Sequence, residues 1–248
     1  MHVVVQAIKS QLPLLLPDQL VGIYVYGSLV WGDFDPEMSD IDVLVVLSND
    51  IDVDLFGRLD LFHQRLELQF PTRAGRIELA YIVQTALQTF KNQRSPIAVI
   101  SPGEPFNSKD AGIDWLINWY IIRAQSLICY GPHPHALIAP ISQAEFRTAV
   151  RNQVGEWREW VVHTRDSRPY QAYAILTMCR ALYAWVNGTQ ASKIVAARWA
   201  MPCYPTQATH IRAALDWRTR YRDVVADPAN SYPNAVAMVE FAVAMMNE

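Results

Sequence analysis

Val21-Gly22-Ile23-Tyr24-Val25-Tyr26-Gly27-Ser28, then eleven residues, then Asp40-Ile41-Asp42-Val43-Leu44-Val45-Val46-Leu47: on this stretch the reading of the chain turns. Two apolar, β-rich runs flank a glycine turn and a polar loop. Asp40 and Asp42 alternate along the second run, so in a strand they share a face, and Ile41 between them points into a core. Two acids on one face repel each other. That is tolerable when they share hard cations such as Mg²⁺, which take oxygen ligands. Gly27 lets backbone N–H groups come close to a phosphate, and the Ser28 hydroxyl adds a donor. Phosphate donors beside Mg²⁺ ligands are the minimum kit for handling a nucleoside triphosphate.

Working outward, residues 3–16 read as a helix stopped by Pro17, residues 21–26 and 41–47 as strands, and residues 27–38 as turn and loop. Leu55, Phe56, Leu59, Phe62 and Leu66 recur near a 3.6-residue period and predict a helix over 55–70. Residues 76–83 predict a third strand, and residues 112–130 a long aromatic-rich helix. Glu78 stands out inside its apolar strand. Next to the Asp40–Asp42 strand it would be a third carboxylate, able to bind metal or take a proton; alone, it reads equally well as an exposed edge residue paired with Arg76 or Arg73.

Gly131-Pro132-His133-Pro134 and Pro140 form a breaker-rich passage that sets the expected boundary, with an α/β domain over 1–139 and a helical domain over 140–248. Ser142 with Glu145 fits a capping box. Helices follow over 170–187, closed by Gly188, and over 192–200, 210–225 and 234–246. The expected fold is an α/β (α+β) domain with a mixed sheet, followed by an all-α bundle.

With 248 residues, 51% of them hydrophobic, the chain can bury full cores. A net charge of −3 argues against a general nucleic-acid binder but suits a cationic small substrate. Cys129, Cys179 and Cys203 are an odd, scattered set that fits neither a disulfide framework nor a zinc site. The first ten residues lack a basic segment followed by a long apolar one, and no run approaches the roughly 18 apolar residues of a membrane span. A cytoplasmic protein without membrane partners is expected.

Tyr26-Gly27-Ser28 through Ser39-Asp40-Ile41-Asp42-Val43 resembles the signature of the polymerase-beta-type nucleotidyltransferase superfamily. Leu176-Thr177-Met178-Cys179-Arg180, Gly188 and Ser192-Lys193-Ile194-Val195-Ala196-Ala197-Arg198-Trp199-Ala200 resemble the helical domain of the aminoglycoside 3''/9-adenylyltransferases, the streptomycin and spectinomycin resistance enzymes. The resemblance implies a transferase that moves AMP from ATP to a hydroxyl of a small cationic acceptor. Asp40, Asp42 and Glu78 would hold Mg²⁺, two ions being the expectation, with Glu78 also the catalytic base. Gly27, Ser28, Ser39, Asp114, Arg180 and Lys193 would bind ATP. The family's Gly-Glu-Trp segment is matched here by Gly103-Glu104-Pro105, and its acidic residue for the cationic drug falls at Tyr170. The implied nucleotide half is intact and the drug half is built differently.

Glu156-Trp157-Arg158-Glu159-Trp160 offers replacement acceptor contacts, acids for amines and indoles for stacking. The plainer reading puts Trp157, Trp160 and Val161 in a core stripe and leaves Glu156 and Glu159 in solvent. Trp115, Trp119 and Tyr120 read as core, His133 and His135 as a loop pair lacking a third metal ligand, and Asp33, Asp35 and Glu37 as a solvated loop. Two other functions stay open: adenylylation of a protein side chain, as in toxin–antitoxin pairs, and a nucleotide-binding sensor without catalysis.

Overall fold

The computed structural model describes residues 2–219 and 228–247. The chain divides into two units, Met1–Ile141 and Ser142–Glu248. The first holds a six-stranded mixed sheet of β1 (Leu20–Tyr26), β2 (Ile41–Leu47), β3 (Ile77–Val83), β4 (Ser95–Ser101), β5 (Glu104–Ala111) and β6 (Leu127–Tyr130), in the order β5-β4-β3-β2-β1-β6. Its helices are α1 (Val3–Leu15), α2 (Ser28–Trp31), α3 (Val53–Gln69), α4 (Ala86–Thr89), α5 (Leu116–Ala124) and α6 (Pro134–Leu137). β2 and β3 are parallel; the other pairings are antiparallel. A parallel pair needs a long crossover, and α3 supplies it.

Alternation along the strands sorts the sheet into two faces. Ile23, Val25, Ile41, Val43, Val45, Leu47, Ile77, Leu79 and Tyr81 join one core with Val4, Ile8 and Leu12 of α1 and Leu55, Leu59, Phe62 and Leu66 of α3. Each such side chain contributes about 1.5–3 kcal/mol over its exposed state. Tyr24, Tyr26, Asp42, Leu44, Glu78 and Ala80 alternate with them and so belong to the other face. Leu44 and Val46 are as buried as their neighbours, so β2 is covered on both sides, as its continuous apolar run predicts.

The sequence reading errs between residues 84 and 130. Ser95–Ser101 and Glu104–Ala111, read as no regular element, form a hairpin turned at Gly103, where φ is 81°. The expected long helix over 112–130 is a single 3₁₀ turn, then α5 ending at Ala124, then β6 paired with β1. Aromatic content carried that helix prediction, yet Leu127-Ile128-Cys129-Tyr130 is as good a strand, and pairing with β1 decides it. The loop over 27–38 contains the short α2.

The second unit is helical throughout its described residues: α7 (Gln143–Trp160), α8 (Arg168–Asn187), α9 (Lys193–Cys203), α10 (Ala208–Thr219) and α11 (Tyr232–Asn247). Ser142 and Glu145 form the capping box at the start of α7. α8 starts from a Ser167 cap and ends at Gly188 in the left-handed region. Of the helix predicted over 210–225, residues 220–225 lie outside the described residues.

Candidate active site

The strand registers build the site. Tyr26 on β1 is the partner of Asp42 on β2, and Asp42 is the partner of Glu78 on β3. Partners in adjacent strands project from the same face, so Tyr26, Asp42 and Glu78 stand in one row across three strands. Asp40 precedes Asp42 by two residues at the mouth of β2. Directly after Tyr26 the chain turns at Gly27, with φ 72° and ψ −145°. A Cβ at Gly27 would run into the Asp42 carboxylate. Glycine is therefore required twice here, for its backbone angles and for the acid packed against it. Ser28 opens α2 next to this turn.

Glu78 is half-buried on an interior strand, not an exposed edge residue. Neither arginine offered as its partner takes that role. Arg76 lies 3.8 Å from the Asp40 carboxylate and donates to the Met38 carbonyl at 2.7 Å. Arg73 donates to the Pro36 carbonyl and sits over the Phe34 ring. Burial, followed by the negative charges of Asp40 and Glu104 against the opposing cation of Lys109, raises the Glu78 carboxyl to about 7. A carboxyl titrating there can exchange a proton at neutral pH. Burial first, then Glu78 and Asp42, keeps the Tyr26 hydroxyl protonated well above the usual range.

Several predicted nucleotide contacts have partners within the chain. The Ser39 hydroxyl accepts from the Asp35 N–H at 3.0 Å, and Asp35 in turn accepts from the Glu37 N–H, so this loop is folded on itself more than the solvated reading expects. Asp114 receives Arg94 at 3.1 and 3.3 Å and accepts from the Gly112 N–H at 2.9 Å, fixing the turn into α5. Arg180 lies on α8, within the second unit. Lys193 is the first residue of α9, which Ser192 caps, and its ammonium sits 4.1 Å from the centroid of the Tyr173 ring.

The suggested acceptor contacts are all on the helical unit. Trp157 is half-buried, its ring 6.0 Å from that of Tyr173, while Glu156 and Glu159 are exposed. The core-stripe alternative holds for Val161 but fails for Trp160, which is 63% exposed. Tyr170 is exposed as well. His133 caps α6 by accepting from the His135 N–H, a local role that matches neither metal nor phosphate binding. Among the described residues no three or more His, Cys, Asp or Glu side chains gather into a group that could hold a metal. No helix among them is long and apolar enough to cross a membrane.

Tyr26 is the residue that sequence reasoning passed over. The signal was present: Tyr24 and Tyr26 alternate with Ile23 and Val25, which marks them for the face carrying the acids.

A model for the nucleotidyltransferase domain matches residues 5–92, and a model described as aminoglycoside adenylyltransferase, C-terminal domain, matches residues 136–247. The chain thus carries a nucleotidyltransferase domain followed by a region matching an aminoglycoside adenylyltransferase C-terminal domain. Proteins similar to it include an aminoglycoside (3'') (9) adenylyltransferase of Klebsiella pneumoniae, 27% identical over 210 residues, covering 77% of this chain and 75% of that one. A spectinomycin 9-adenylyltransferase of Staphylococcus aureus is 25% identical over 244 residues, covering 92% and 88%. The crystal structure of spectinomycin adenyltransferase from Enterococcus faecialis, with ATP and spectinomycin, superposes with a TM-score of 0.76 at 20% identity, covering 99% of this chain and 98% of that one. That likeness establishes a shared fold across both units.

Proposed function

We propose that this nucleotidyltransferase moves AMP from ATP to a hydroxyl of a small, cationic, hydroxylated acceptor of the aminoglycoside or aminocyclitol class, releasing pyrophosphate. The observation that carries this reading is the row of Asp42 and Glu78 in register, with Asp40 at its mouth and Gly27 packed against Asp42. A binding-only protein has no use for a half-buried carboxyl poised near neutrality beside two further acids.

The donor set fits Mg²⁺. All three acids offer oxygen, and Mg²⁺ is ordinarily held by one or two carboxylates plus substrate phosphates, with no preformed all-protein cage. Asp40 and Asp42 would hold it, which agrees with the lack of a closed three-residue cluster among the described residues. When bound, the ion neutralises phosphate charge and orients the α-phosphate. Glu78 is thereby left to act as the base.

In the reaction, the acceptor oxygen attacks the α-phosphorus in line as its O–H proton passes to the Glu78 carboxylate. The bond from the α-phosphorus to the bridging oxygen breaks, and the electron pair leaves with pyrophosphate. Gly27 and Ser28 approach the triphosphate through N–H groups and a hydroxyl, and Arg180 and Lys193 supply cationic side chains for it. Tyr170, Trp157, Glu156 and Glu159 offer aromatic faces and carboxylates to the acceptor. A solved structure of the same fold holds ATP and spectinomycin, which supports this choice of nucleotide and acceptor class.

The deciding experiment is pyrophosphate release from ATP and Mg²⁺ across a panel of aminoglycosides and aminocyclitols, with Glu78→Gln as control. Release that depends on one compound and disappears in the variant is the expected result. Silence across the panel, in a chain that still binds ATP by calorimetry, would overturn the acceptor class and turn the search to other metabolites or a protein side chain.

A further inference from the structure

The two arginines that turn away from Glu78 both turn towards one loop, the one that carries Ser39 and Asp40. Arg73 donates to the Pro36 carbonyl, and its guanidinium carbon lies 5.5 Å from the centroid of the Phe34 ring. Arg76 donates through Nη1 to the Met38 carbonyl at 2.7 Å, and the same nitrogen lies 3.8 Å from the Asp40 Oδ1. The Arg76 carbonyl accepts from the Ile41 N–H at 2.9 Å. Arg76 therefore grips the chain on both sides of Asp40, by its side chain before it and by its backbone after it. The turn that presents the arginines is itself fixed. Gly75, with φ 67°, donates its N–H to the Glu67 carboxylate at 2.9 Å, and the Arg76 N–H donates to the Arg73 carbonyl at 3.0 Å. The gripped loop is closed as well, its Ser39 N–H donating to the Asp35 carbonyl at 2.8 Å. An exposed ion pair on its own contributes little. Here the guanidinium also satisfies a loop carbonyl, which gives the pair a set geometry where β2 begins.

We infer that Arg76, supported by Arg73, is a positioning residue that holds the 34–40 loop against the start of β3 and so sets where Asp40 presents its carboxylate to the Mg²⁺–triphosphate complex. Asp42 needs no such device, because it lies inside the β2 ladder and is placed by pairing with β1 and β3. Asp40 precedes that ladder, so side-chain ties do for it what strand pairing does for Asp42. The role requires no contact between either arginine and the nucleotide. The inference rests on the nucleotide reading above and deepens it.

The test is calorimetric titration of the full chain with α,β-methylene-ATP, with and without Mg²⁺. This probe needs no acceptor and no turnover. Salt at about 0.5 M shortens the Debye length to about 4 Å, so the charge lost in a variant acts on little beyond its neighbours. The wild type should bind more tightly with Mg²⁺, and Arg76→Gln should lose about fivefold of that gain while its metal-free affinity stays within about twofold. Arg76→Lys keeps a charged donor and should keep most of the gain. In an Asp40→Asn background, Arg76→Gln should cause no further loss, because the group it positions is gone. An undiminished Mg²⁺-dependent gain in Arg76→Gln overturns the inference and leaves the nucleotide reading intact. Equal loss with and without Mg²⁺ also overturns it, since that marks a direct contact with the triphosphate or general damage to the pocket. A wild type that binds no nucleotide overturns the nucleotide reading, and this inference with it.

Discussion

The two faces of one sheet treat their titratable groups in opposite ways. On the face covered by α1 and α3, His63 is buried among Phe62, Tyr81 and Phe106, with ring centroids 4.9–5.6 Å away. Its Nε2 has no hydrogen-bond partner among the described residues, nor has the Tyr81 hydroxyl. Burial drives the His63 imidazole down to about 3, so it is a neutral aromatic filler across the working range. On the other face Glu78 is raised to about 7, chiefly by burial and then by Asp40, which leaves it able to gain or lose a proton near neutrality. Desolvation disfavours charge on both faces. What separates structure from chemistry is the company: His63 meets only rings, whereas Glu78 stands in a row with Asp42 and Tyr26 beside a flexible-angle glycine turn.

The largest expected effect strikes the open face. Glu78→Gln should lower pyrophosphate release by about 10²–10⁴-fold while the chain stays folded, as expected on loss of a general base. The pH dependence sharpens the contrast. A carboxyl with a raised folded pKa holds more protons folded than unfolded between its ordinary value of 4.5 and about 7, so its contribution to stability falls as pH rises through that window. Denaturation of the ligand-free Glu78→Gln chain should lack this decline. A variant with wild-type turnover would remove Glu78 from the chemistry.

Gly27→Ala comes next. It forces a Cβ into the Asp42 carboxylate and an L-residue into backbone angles that essentially only glycine adopts. A loss of about 1–3 kcal/mol in denaturant melts is expected, together with weakened nucleotide binding. Unchanged binding would mean that the turn and Asp42 are not one unit.

His63→Leu tests the closed face, with the opposite sign. An imidazole with a depressed folded pKa holds fewer protons folded than unfolded between about 3 and its ordinary value of 6.5, so stability is lost as pH falls through that range. Between pH 7 and pH 5 that loss amounts to about 2 kcal/mol. His63→Leu should flatten the acid limb by that amount and leave the catalytic constants unchanged. An acid limb as steep as the wild type's would place the acid sensitivity elsewhere.

The smallest effect lies outside the sheet. Ser142→Ala removes the hydroxyl half of the α7 capping box and should cost about 1 kcal/mol in thermal melts, touching neither face.

Local chemistry was enough for much of this protein. The glycine turn, the alternating aspartates, the doubly buried β2, the Ser142 box and the Gly188 stop are short-range patterns whose physics is complete within a few residues, so they are legible without partners. Glu78 was legible as an anomaly, a charge inside an apolar strand. Three things were decided only by tertiary structure. The 127–130 segment became a strand because β1 offered an unpaired edge, which no local pattern reports. Asp114 and Ser39 took partners, Arg94 and the Asp35 N–H, that the sequence does not single out. Tyr26 joined the acids because strand register, a relation between segments sixteen residues apart, set it opposite Asp42. Sequence fixes which face a side chain takes, through the period of two; only pairing fixes which side chains share a row, because register depends on how separate strands pack.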